Sequence, residues 1–202
     1  MSSGYSLSMS GSSLRRPESL LTARLYLDNH DWQTTRAQVV SDNLYQLNAE
    51  SSRKRVATEL IKRLSQLNER ELRFLVDSYG DDQSAMFWVA VCRTYQFVAD
   101  LSADVIVGRY GRSVHDYTTG AFEEFFDRQD ELHPELRKLS KLGHNKVRTT
   151  VFRLLVECGL VSQPGTCQRG EITPIHPTPS FREALDSGRV ERDLQLFPGV
   201  TL

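Results

Sequence analysis

The chain has 202 residues, with 25 Lys plus Arg against 26 Asp plus Glu and a formal net charge of −1. At 39% hydrophobic and 25% charged residues it is a globular chain with enough apolar material for a core, not a disordered one. The balance excludes a protein that coats nucleic acid by bulk positive charge, and leaves open one that uses a local basic face. Three cysteines, Cys92, Cys158 and Cys167, show no CxxC spacing and point to reduced thiols, not a disulfide framework. The longest apolar run, Ala85 to Cys92, has eight residues, against the ~20 a membrane-spanning helix needs. No apolar stretch precedes Arg15 and Arg16, so the expected location is cytoplasmic, with no membrane contact.

Residues 1–13 are rich in Ser and Gly and read as a flexible tail. From Pro17 onward the pattern is helical. Pro17 suits a first helical turn, and Asp31 is a plausible N-cap for a helix from Trp32 to about Asp42. Val56, Leu60, Ile61, Leu64 and Leu67 form one apolar stripe on a helix starting near Ser51. Asn68 with Glu71 predicts a capping box, and Gly80 the stop of that helix. Asp82 then opens a segment through Val98 that is apolar on nearly every side, which predicts a central helix. Ser102 is expected to cap a short helix ending at Gly111, and another runs from about Gly120 to Leu132. Pro134 begins a short helix that Gly143 breaks, and a longer one follows from about Asn145 to Cys158. Leu160-Val161, Pro164-Gly165 and Glu171-Ile172-Thr173 read as a β-hairpin. Ser180 with Glu183 predicts a last capping box. The expected segments are a tail over 1–13, helical regions over 14–112 and 113–188, and a second tail over 189–202.

Two stretches concentrate charge. From Pro134 to Arg153 there are six Lys or Arg and one Glu. The short helix, Gly143 turn and longer helix suggest a helix-turn-helix, and the hairpin suggests a wing with Gln168 and Arg169 near its tip. On the longer helix Val147, Val151, Leu154, Leu155 and Cys158 share one face. Asn145, Lys146, Thr149 and Arg153 turn away from it, with Lys141 alongside: short polar and cationic groups suited to phosphates and base edges. The second stretch, Ser51 to Arg63, has five cations against Glu59. There Lys54, Arg55 and Lys62 are expected to face outward, in a second helix-turn-helix built with the preceding helix. Exposed basic residues are also common on purely solvated helices, so neither stretch alone establishes a nucleic-acid face.

Between them, Asp116 to Glu131 holds six carboxylates and one cation, Arg128. This block suits a solvated face or the docking surface of a basic partner. Glu123, Glu124 and Asp127 have helical spacing, but no His joins them, and a metal site is not expected. The five histidines show no HExxH spacing, and GxSxG, GxGxxG and Walker-type motifs are absent. Neither a catalytic residue, a cofactor nor a small-molecule substrate is expected. Cys158 and Trp88 are expected in the core, while His144, Arg15 and Arg16 are candidates for further phosphate contacts.

The stretches DNLYQLNAESSRKRVATELIKRLSQLNERELRFLVD (42–77), MFWVAVCRTYQFVADLSADVI (86–106) and FEEFFDRQDELHPELRKLSKLGHNKVRTTVFRLLVECGLV (122–161) resemble the BrxA family of type 1 BREX phage-defence systems. The likeness runs from about Leu20 to Ile175. Its motifs are the Asn-Leu-x-Gln turn, the HPEL segment and a final helix ending in Cys-Gly-Leu. The resemblance implies an all-α globular protein with two helix-turn-helix elements that binds double-stranded DNA beside other BREX proteins and is not an enzyme. A scaffold of the defence complex and an RNA-binding bundle are the alternatives. No heptad or symmetric patch calls for a dimer, so a monomer is expected.

Overall fold

A computed structural model gives the architecture of residue 5, residues 13–163 and residues 168–200. Most of the described residues are helical, as the periodicity predicts, and one small sheet is found among them. The 1–13 tail lies largely outside these residues. Tyr5, which is described, is buried, and its hydroxyl bonds to Asp100 and Gln129.

Helix α1 (Arg16–Asn29) has Pro17 in its first turn. Helix α2 (Trp32–Ser41) is capped as predicted, the Asp31 carboxylate accepting from the Gln33 and Thr34 N–H groups. Helix α3 (Glu50–Leu64) pairs with α2 around a small core of Val39, Tyr45, Val56, Ala57 and Leu60, closed by Leu21 and Leu25 of α1. Helix α4 (Glu69–Asp77) carries the predicted Asn68/Glu71 capping box. Its stop is not Gly80, because α4 ends at Asp77. Gly80, at φ 60°, instead begins α5 (Gly80–Thr94). The left-handed backbone turns the chain there and puts Asp81 and Asp82 in the first turn, where the helix dipole favours carboxylates.

Helix α5 is the predicted central helix. Every residue from Ser84 to Cys92 is buried, and α3 and α4 pack against it. It does not continue to Val98. Tyr95, extended at φ −126°, breaks it and starts α6 (Gln96–Leu101). A π-helical segment (Ser102–Val107) and α7 (Gly108–Gly111) follow. Ser102 is therefore no cap. It is fully buried, its hydroxyl accepting from Trp88 Nε1 at 3.1 Å and donating to the Leu196 carbonyl at 2.8 Å.

In the second half, β1 (Asp116–Tyr117) precedes α8 (Thr119–Leu132), which Thr118 caps. A single 3-10 turn, Leu136–Lys138, replaces the expected helix at Pro134. Helix α9 (Lys141–Glu157) begins four residues before the predicted Asn145. Gly143 does not break it, because this glycine is third in the helix and donates its N–H to the Ser140 cap. In a first turn, glycine's low propensity is offset by such a cap. After Gly159, at φ 76°, the hairpin appears: Val161 bridges Ile172, and β2 (Gly170–Glu171) pairs antiparallel with β1. The Pro164-Gly165 turn and Cys167 lie outside the described residues.

The chain then returns to α4 and α5. Helix α10 (Pro179–Ala184) starts before the predicted Ser180 cap, and the Thr178 hydroxyl is spent on Asp82 at 2.8 Å. Helix α11 (Val190–Leu194) falls where a polar tail was expected, and brings buried Asp193 to Arg93. Arg93 also holds Glu71, which is fully buried and accepts from the Asp186 N–H. Burial opposes the Glu71 charge. The bonds from Arg93 and the two backbone N–H groups outweigh it and hold the carboxyl below its ordinary range.

Candidate nucleic-acid interface

Helix α9 is held in place by its apolar side, with Val147, Val151, Leu154, Leu155 and Cys158 all buried as predicted. At about 100° per residue, Lys141, Asn145, Thr149, Arg153 and Lys146 fall on the other side, within an arc of about 140°. Lys141, Lys146 and Arg153 are exposed, and Asn145 and Thr149 are half-buried. Starting α9 at Lys141 puts that residue on the same helix as the other four, which the expected break at Gly143 would not. Leu142 stands among them at 80% exposure, and Leu132, at the other end of the connection from α8, at 72%.

A polar network ties this helix to α8 and the hairpin. Arg148 donates to Glu123 of α8 at 2.6 Å and to Gln168 Oε1 at 3.1 Å. Gln168 Nε2 in turn donates to Thr149 Oγ1 at 2.8 Å. His144 meets the other oxygen of Glu123 at 3.1 Å and packs edge-on against Phe126. His144, expected as a phosphate contact at the turn, is thus engaged with Glu123 and Phe126 of α8. Gln168 does not stand out at a wing tip but locks the hairpin to α9, while Arg169 beside it is exposed. Arg148 is the organising residue that spacing alone missed, and the inward role of Gln168 was missed with it. The Glu123–Arg148 charge complement is a usable signal; Gln168 stands in the expected wing, but nothing in the sequence marks its bond to α9.

The acidic block is partly consumed by the fold. Besides Glu123, Asp116 pairs with Arg109 at 2.7 Å, which holds its carboxyl below the ordinary range, and Asp130 lies 3.5 Å from Arg137. Glu124, Asp127 and Glu131 remain exposed.

The first basic stretch is rearranged more strongly. Lys54 and Arg55 are exposed as expected, Lys54 paired with Glu50 at 2.6 Å. Lys62 is half-buried, its ammonium 4.6 Å from the centre of the Tyr95 ring, a cation–π contact that draws it inward. Arg63 and Glu59 are both buried and pair with each other, and the Tyr95 hydroxyl donates to the same carboxylate. The structure instead adds Arg36 and Arg53, which with Lys54 line a groove between α2 and α3. Arg16 is likewise used internally, donating to Ser84 Oγ and the Glu157 carbonyl over the Phe87 ring.

A model of the BrxA family matches residues 3–188. The chain belongs to the BrxA family. A relative named BREX protein BrxA, from Escherichia coli O9:H4 (strain HS), is 26% identical over 175 residues, covering 87% of this chain and 81% of that protein. The fold is also that of an uncharacterized protein from Magnetospirillum magneticum, known from its crystal structure. The TM-score is 0.80 at 17% identity, over 96% of this chain and 98% of that one. As in this BrxA-family chain's sequence, no helix among the described residues is long and apolar enough to cross a membrane.

Proposed function

We propose that this chain is a non-catalytic double-stranded DNA-binding protein that works with BREX phage-defence components, as its relative's name suggests. The observation that carries the reading is the order β1, α8, turn, α9, then a hairpin whose second arm pairs with both β1 and the segment at Val161. That order is the winged form of a helix-turn-helix, with α9 as the helix that enters a major groove. The analogy concerns topology. The chemistry that supports it is the arc of Lys141, Asn145, Lys146 and Arg153, with exposed Arg169 on the hairpin, while the Thr149 hydroxyl on the same arc is already bonded to Gln168 and the Asn145 carbonyl. Arg148 and Gln168 fix where that hairpin sits relative to α9.

Fluorescence anisotropy with a labelled duplex across a salt series tests the proposal. Affinity is expected to fall with salt. The double variant Lys146→Glu with Arg153→Glu is expected to lower the slope of log affinity against log salt by about 1.8, for two phosphates. Folded protein that fails to bind duplex at low salt ends the reading. Structured RNA as competitor separates duplex DNA from RNA, whose major groove is too deep and narrow for a helix.

A second reading, docking of a protein partner, is favoured by the exposed leucines Leu132 and Leu142 and by exposed Glu124 and Asp127. It predicts that Glu124→Arg with Asp127→Arg abolishes phage protection while duplex affinity is kept.

A further inference from the structure

The groove between α2 and α3 encloses about 420 Å³ and is lined by Arg36, Ser41, Glu50, Arg53 and Lys54, with Val40 at its wall. Three cations face one carboxylate, so the groove is electropositive although α3 as a whole contributes a buried, self-neutralised Glu59–Arg63 pair. Two of the cations are already oriented. Arg36 Nε donates to Thr58 Oγ1 at 3.3 Å, and Thr58 is itself fastened to the Lys54 carbonyl. Lys54 is held on Glu50 at 2.6 Å. Arg53 differs: its Nε is buried and has no hydrogen-bond partner. Arg53 is half-buried on the wall of an open groove, and with Nε shut off it meets an anion there through its outer guanidinium nitrogens. The first turn of α3 adds to the field, since Ala49 offers no side-chain acceptor to its N–H groups.

We infer that this groove is a phosphate seat, in which Arg53 supplies the planar donor edge and Arg36 and Lys54 the flanking charge. A guanidinium matches the paired oxygens of a phosphate, and an open, polar, cationic groove suits a phosphate better than an apolar ligand. Another cationic cavity, beside Arg93, is unlike it in this respect. There the guanidinium is already committed to Glu71 and Asp193. The identity of the occupant rests on the duplex-binding proposal above. On that basis it is a backbone phosphate of the duplex, so the first helix pair grips DNA through this groove and not through Lys62.

The test uses the full chain with Arg53→Gln, Arg36→Gln and Arg53→Lys, each checked for an unchanged melting curve. Two probes are used: a labelled duplex across a salt series, and inorganic phosphate at constant ionic strength, followed through the Arg Nε–H resonances. The expected result is that Arg53→Gln lowers the duplex salt slope by about 0.9, one phosphate contact. Arg53→Lys is expected to keep the slope but bind more weakly, because it retains the charge and loses the planar edge. An unchanged slope, with saturable phosphate binding that Arg53→Gln removes, overturns the backbone occupant and upholds a seat for a free phosphate. An unchanged slope with no phosphate response overturns the seat. Failure of the wild-type chain to bind duplex would refute the duplex-binding proposal instead, with the phosphate arm still deciding the groove.

Discussion

Gly170 lies where the hairpin closes, and a methyl group there has nowhere to go. A Cβ at this position would stand 1.7 Å from the Ser162 carbonyl oxygen and 2.6 Å from Val161 Cγ1. Because the nearest atom is backbone, no rotamer change relieves the clash, and the arm at 160–162 must part from 170–172. At stake are the Ser162 N–H bond to the Glu171 carbonyl at 2.8 Å and the Thr173 N–H bond to the Leu160 carbonyl at 3.0 Å. Each is worth about 0.5–1.5 kcal/mol net, and strain from overpacking costs about 1–3 kcal/mol. The chain trades one against the other, so Gly170→Ala is expected to cost about 1–3 kcal/mol. For a chain of this size each kcal/mol moves Tm by about 2–4 °C. Urea unfolding followed by circular dichroism measures it, as a lower midpoint at unchanged m. Gly188→Ala is the control, since its Cβ would meet only Asp186 Oδ1 at 3.7 Å. If Gly170→Ala moves stability no more than an exposed substitution does, within about 0.5 kcal/mol, the pairing of the two arms is wrong.

Glu71→Gln is expected to cost about 1.5–3 kcal/mol in the same unfolding assay, since it removes the charge that Arg93 and two backbone N–H groups hold. The folded Glu71 pKa is depressed, so its contribution is fully present above the ordinary value of 4.5 and is lost as pH falls below it. The wild-type acid limb should therefore be steeper than that of Glu71→Gln, and parallel limbs would contradict the assignment. Burial raises the Cys158 thiol to about 12 and lifts Cys92 well above its ordinary range. Peptide mapping after alkylation at neutral pH should find both unlabelled in the native protein and labelled in denaturant. Gln168→Ala should leave Tm nearly unchanged and weaken duplex binding, because it frees the hairpin from Arg148 and Thr149; unaltered affinity would show that the hairpin does not take part.

Helices with a strong local signature were legible in the sequence. Asp31 and the Asn68/Glu71 box cap as expected, and the apolar stripes of α3 and α9 face the core. What failed was punctuation. Gly80 and Gly143 both look like stops in the sequence, yet one opens a helix and the other sits in a capped first turn. Glycine marks a need for backbone freedom without saying which side of a helix end requires it. Strand β1 is two residues long, too short for alternation to show. The sites divide the same way. The outward arc of α9 follows from periodicity, whereas the inward turn of Lys62 and the use of Glu123 by Arg148 depend on partners distant in sequence.

The return of residues 176–200 to α5 has a consequence for synthesis. Arg93, in the middle of the fold, waits for Asp193, and the Trp88–Ser102 pair waits for the Leu196 carbonyl. Both partners are made about a hundred residues after the groups they complete. A nascent chain stopped at residue 188 would hold the Arg93–Glu71 pair without its second carboxylate and the Ser102 hydroxyl without its acceptor, so the core finishes closing only once residues 189–200 have left the ribosome. A bulky fusion placed directly after residue 188 would separate the central helix from the residues that seal it.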